Sequence, residues 1–175
     1  TAATVDNIDI WADTEPTSSV FTVGTSTASN GSGVSLIAYC FSEVPGYSKF
    51  GSYTGNGSTS GPTITTGFKP AMVLIKCSSG TFDWWISDTT RSVSNTADSV
   101  LLPNSSSAEI NGGGYLVDFL DDGFQLRNIG AATNGSGRTY IYMAFKDTRE
   151  YAYWLDDSGN NNDWQPNGGI TTNST

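Results

Sequence analysis

One short pattern occurs twice in this chain and restricts what it can fold into. Val20-Phe21-Thr22-Val23-Gly24, Asn30-Gly31-Ser32-Gly33 and Leu36-Ile37-Ala38-Tyr39-Cys40-Phe41 return about a hundred residues later as Gly123-Phe124-Gln125-Leu126-Arg127, Asn134-Gly135-Ser136-Gly137 and Tyr140-Ile141-Tyr142-Met143-Ala144-Phe145. A strand-like run, a glycine-rich turn and a second strand-like run thus form a unit used twice, with a one-residue slip. Self-similarity at a fixed spacing marks modular construction. Chains built this way serve as scaffolds or adhesins more often than as enzymes.

The second copy closes a module that opens near Tyr47, whereas the first copy stands at the start with nothing before it. Three regions follow. Residues 1–43 read as the closing strands of a preceding module or an assembly arm, 44–150 as a complete β-sandwich module, and 151–175 as an Asp/Asn/Gly-rich linker or loop. With 175 residues the chain can bury a core of sandwich size. Charged residues are scarce, Ser, Thr, Gly and Asn abundant, and no window keeps a helical period. The expected fold class is therefore all-β, an antiparallel sandwich with a partial repeat of its module at the N-terminus. The first residues, Thr1-Ala2-Ala3-Thr4, have neither an initiator Met nor a signal-peptide layout, so the chain reads as a fragment or processed product.

Along the chain, Ser35–Ser42 alternates as a strand, and Glu43-Val44-Pro45-Gly46 breaks it. A second strand runs from Tyr47 to Thr54 and ends at Gly55-Asn56-Gly57, residues that accept turn conformations cheaply. The continuous apolar run Ala71–Cys77 reads as a central strand covered on both faces, with Phe82–Asp88 as its hairpin partner. Val100-Leu101-Leu102 reads as a short strand. Asp121-Asp122-Gly123 between two alternating runs signals a hairpin, and Thr139–Lys146 completes the module. Cys40 and Cys77 both fall in apolar runs and read as free buried thiols, with pairing left open.

Several function classes drop out on composition. A net charge of −9, with eight scattered Lys and Arg, repels a phosphate backbone and an anionic bilayer. No apolar run reaches the length of about eighteen residues that a membrane helix needs. The chain has no His, so Ser-His-Asp and Cys-His catalysis cannot be assembled within it. Asp118, Asp121 and Asp122 offer paired carboxylates of the glycosidase kind, or simply the residues a hairpin turn favours. No enzymatic activity is expected.

Binding candidates remain. Trp84 and Trp85 are adjacent, so on a strand one enters the core and the other faces outward, as a platform for a sugar ring or as a seal between modules. With Trp84 and Trp85, Asn56 in its loop completes a candidate glycan site. In the tail, Asp156, Asp157 and Asp163 surround an Asn-rich loop with the oxygen ligands that Ca²⁺ prefers, the other reading being a polar linker. Trp11, Trp154 and Trp164 lie towards the ends, where they suit contacts between neighbouring chains.

The stretch Ala38-Tyr39-Cys40-Phe41-Ser42-Glu43-Val44-Pro45-Gly46-Tyr47-Ser48-Lys49-Phe50-Gly51-Ser52-Tyr53-Thr54-Gly55-Asn56-Gly57, with Thr66-Gly67-Phe68-Lys69-Pro70 and Tyr153-Trp154-Leu155-Asp156-Asp157-Ser158-Gly159-Asn160, resembles a domain of tail-fibre-like and other structural proteins of marine bacteriophages. The resemblance implies a virion-associated β-rich protein on the tail or another external, extracellular surface. It also implies a lectin-like or jelly-roll sandwich that contacts copies of itself, other virion proteins and a host-surface glycan. A capsid decoration or cement protein and a secreted carbohydrate-binding module are the other readings. Neither nucleic acid nor membrane insertion is expected, and Ca²⁺ is the one candidate cofactor.

Overall fold

A computed structural model describes residues 8–147. These residues form an all-β domain of several antiparallel sheets, preceded by a segment with two single helical turns, α1 (Ile8–Trp11) and α2 (Thr27–Asn30). The strands are β1 (Ser48–Thr54), β2 (Thr63–Thr65), β3 (Met72–Cys77), β4 (Trp84–Asp88), β5 (Ser99–Val100), β6 (Ile110–Asn111), β7 (Val117–Leu120), β8 (Gly123–Leu126) and β9 (Thr139–Phe145).

The largest sheet has the order β1-β9-β3-β4, the second β2-β8-β7, and β5 pairs with β6. β3 lies between β9 and β4, as its unbroken apolar character predicts. Val73, Ile75 and Cys77 point into the core. On the opposite face Met72 and Leu74 are half-buried, and the buried Lys76 donates from Nζ to the carbonyls of Cys77 and Gly80, closing the loop to β4. β7 and β8 are joined across Asp121-Asp122, where the hairpin signal falls. Gly123 is required there because a β-carbon would run into the Ile64 carbonyl of the paired strand β2. Phe124 of β8 meets Tyr53 and Tyr142 of the large sheet edge-on, at ring-centroid distances of 6.5 and 5.3 Å.

Edge strands need protection from stray pairing. Glu43 supplies it for β1: its carboxylate accepts from the Phe50 amide at 3.1 Å and from Lys49 Nζ at 2.9 Å. Those two donors, Lys49 first, hold the Glu43 carboxyl below its ordinary value. On the far edge, Ile86 of β4 exchanges backbone bonds with Leu101.

The N-terminal copy of the repeat departs from the strand reading. Val20–Gly24 and Leu36–Phe41 carry no strand, and α2 ends at Asn30, the first residue of Asn30-Gly31-Ser32-Gly33. A strand exists only with a neighbour. In the second copy β9 is held between β1 and β3, whereas no described strand flanks Leu36–Phe41. Cys40 is accordingly exposed rather than buried, Cys77 is fully buried, and both are free thiols.

Candidate functional site

Asn134 has no exposed surface and ties the β8–β9 connection to the loop after β1. Its Oδ1 accepts from the Asn56 amide at 2.9 Å, and its Nδ2 donates to Asn128 O at 2.7 Å, Ser58 O at 2.9 Å and Asn56 Oδ1 at 3.2 Å. Backbone bonds extend the contact. Gly57 donates to Asn134 O, Gly55 to Arg138 O, and Gly137 to Gly55 O, each at 2.8–2.9 Å. The turn thus grips a Gly-Asn-Gly segment, and β9 then carries on the pairing with β1 from Thr139–Thr54 to Phe145–Ser48.

The first copy has the same local geometry. Asn30 Nδ2 donates to Gly24 O at 3.0 Å, six residues back, as Asn134 does to Asn128. Asn30 and Asn134 donate from their amides to Ser26 O and Gly130 O at 2.7 Å, and the amides of Ser29 and Thr133 reach the same two carbonyls at 3.1 Å. Gly33 and Gly137 have φ of 72° and 71°, the left-handed conformation that glycine takes without strain. The duplication is therefore a duplicated turn. What differs is the surroundings: Asn30 and residues 32–41 are exposed, with Val34, Leu36, Ile37, Tyr39 and Phe41 between 51 and 81% accessible. At the arm's far end, Phe41 packs on Phe50 and Phe145, with ring centroids 6.3 and 5.9 Å apart.

The residues singled out as ligands are dispersed. Trp85 is 6% exposed, with its ring 3.9 Å from that of Tyr115, so it is a core residue and presents no platform. Its Nε1 is buried and lacks a hydrogen-bond partner. Trp84 is half-buried on the edge strand β4, and its amide donates to Asn104 Oδ1. Asn56 is exposed, yet both side-chain polar atoms are engaged: Nδ2 donates to Ser60 O, and Oδ1 accepts from Ser58 N and Asn134 Nδ2. Trp11 is 55% exposed at the end of α1. Trp154, Trp164, Asp156, Asp157 and Asp163 lie outside the described residues.

The carboxylates of Asp118 and Asp121 in the β7–β8 hairpin have different partners. Asp118 faces Arg127 at 3.3 Å, whereas the side chain of Asp121 is fully exposed and meets Lys69 at 3.4 Å. Among the described residues no three acidic or sulfur side chains come together in a way that would hold a metal ion. A shallow cleft of about 370 Å³ has Lys69, Ser92, Asn95, Phe119, Lys146 and Asp147 in its wall.

Sequence reading missed the role of Asn134. The available signal was the repeated Asn with glycines at fixed offsets, which marks the turn in both copies. No curated protein and no solved structure matches this chain. Residues 1–148 match a family described as a domain of unknown function, DUF7483, and the chain belongs to that family.

Proposed function

We propose that this chain is a non-enzymatic structural module of a phage virion, part of a tail fibre or related appendage, assembling with copies of itself and with other virion proteins. Its sheets would pack as a lectin-like or jelly-roll sandwich, a reading supported by the contacts of Phe124 with Tyr53 and Tyr142. The observation that carries the proposal is the arm at residues 34–41. Five large apolar side chains within eight residues are more than half exposed, and clustered exposed apolar surface marks an interaction site. The similarity to phage structural proteins in the residues around Tyr39–Gly57 supplies the virion context, and the acidic charge argues against a nucleic-acid partner.

Host-glycan recognition has narrower support. With Trp85 in the core and Asn56 engaged, the half-buried Trp84 is the one residue of that candidate set left to stack on a sugar. Among the described residues no helix is long and apolar enough to cross a membrane.

Sedimentation velocity of the wild type and of an Ile37→Ser, Tyr39→Ser double variant tests the assembly role. The wild type should associate with rising concentration, and the variant should remain monomeric with an unchanged unfolding midpoint. Identical sedimentation of the two at the highest soluble concentration would overturn the proposal.

A further inference from the structure

The second copy of the turn shows what such a turn binds. Asn134, Gly137 and Arg138 hold the backbone of Gly55-Asn56-Gly57 through donors and acceptors fixed by the turn itself, and the strand that follows pairs with the strand preceding that glycine. The equivalent groups of the first copy are Asn30 Oδ1 and O, Gly33 N and Val34 O, on a turn of matching hydrogen bonds and φ angles. The following segments also correspond: Ser35, Ile37 and Phe41 stand where β9 has Thr139, Ile141 and Phe145.

We infer that residues 30–41 are a receptor for an extended strand ending in Gly-Asn-Gly, donated by a neighbouring chain and bound as Ser48–Ser58 is bound by residues 134–145. Three features argue for this occupant over an undefined apolar partner. The recognising atoms are main-chain groups and one Asn amide, which demand a backbone ligand and match β-strand addition. The close approach demands glycine, since a β-carbon on Gly55 would lie 2.5 Å from the Gly135 carbonyl oxygen and 2.9 Å from the Tyr140 ring. The arm is also exposed and free of helix or strand over the length that β9 uses for pairing. Binding would turn Leu36–Phe41 into the strand its composition predicts. The inference deepens the assembly reading and rests on it for a partner chain, but it specifies the ligand.

The test uses the 175-residue chain, at a concentration where it is monomeric, and a synthetic peptide of residues 48–58. Cys40 lies within the proposed pairing segment and is exposed, whereas Cys77 is buried, so the rate of Cys40 alkylation reports occupancy. Saturating peptide should slow that rate at least about tenfold, as strand pairing would shield the segment. A peptide with Gly55→Val should give no protection. Absence of protection by the parent peptide, or equal protection by both, would overturn the inference. If the chain self-associates through Ile37 and Tyr39 while the peptide protects nothing, the ligand is wrong and the assembly role stands; if the peptide protects Cys40 and the chain stays monomeric, the receptor is right and self-assembly is not.

Discussion

Asn134 is the side chain on which two distant parts of the domain converge, because one amide group serves both the backbone of its own turn and the loop that follows β1. Replacing it with Ala removes three donated bonds and one accepted bond and leaves the carbonyl of the buried Asn128 without its partner. Such a loss should cost about 2–3 kcal/mol, since each neutral bond contributes about 1 kcal/mol and a buried orphan adds its desolvation. Asn134→Asp keeps the acceptor for the Asn56 amide but sets an oxygen against three others, so it should rescue nothing. Urea denaturation measures both variants, and a midpoint unchanged in Asn134→Ala would dispose of the latch. The sequence marks Asn134 only as part of a turn. Which atoms a turn binds depends on a segment almost eighty residues away, and Gly-Asn-Gly reads the same whether the loop is free or gripped. The bond of Glu43 to the β1 edge was likewise not legible, since the sequence marks that residue only as part of a break after Ser42.

At the scale of elements, hairpins were readable because their signals are local. The alternation around Asp121-Asp122-Gly123 and the apolar run of β3 followed by Phe82–Asp88 each specify both partners within a few residues. The N-terminal copy was misread as strand because composition records what a segment can do, and pairing depends on who is beside it. Trp84 and Trp85 obey the alternation rule, yet only the position of Tyr115 decides which of them is covered. The β2–β8 pairing offers a test of element packing. Gly123 lies opposite Thr65 with no space for a side chain on that side. Gly123→Ala should push β2 from β8 and destabilise the domain by about 1–3 kcal/mol, the usual cost of overpacking, with limited proteolysis cutting first near residues 58–67. An alanine variant as stable and as protease-resistant as the parent would contradict the close approach.

The domain as a whole carries a pH dependence set by the buried tyrosines where β1 pairs with β9. Tyr53 and Tyr140 stack with ring centroids 5.0 Å apart, and Tyr142 lies beside Tyr53. Burial pushes all three phenols above their ordinary value of 10.0, Tyr53 well above it and Tyr140 to about 12. Around them the hydroxyl of Tyr53 donates to Thr133 O at 2.6 Å, and that of Tyr140 donates to Ala131 O while accepting from the Gly135 amide, both at 2.7 Å. Those bonds join the sheet to the same turn that Asn134 organises. Because the raised values belong to the folded state, the native protein holds more protons than the unfolded chain once the pH passes 10. Stability therefore decreases with rising pH. The tyrosine contribution is intact below pH 10 and is lost as the pH climbs through the window from 10 to about 12, where unfolding frees the phenols to ionise. Tyr53→Phe should lose about 1 kcal/mol at neutral pH with its hydroxyl bond, yet its stability should fall less steeply across that window than the parent's. Urea midpoints collected from pH 8 upward, together with phenolate absorbance, measure both effects. Parallel curves for parent and variant would remove Tyr53 from the alkaline transition, and ionisation of the core phenols without any loss of stability would show that the sheet tolerates the charge its packing is expected to exclude.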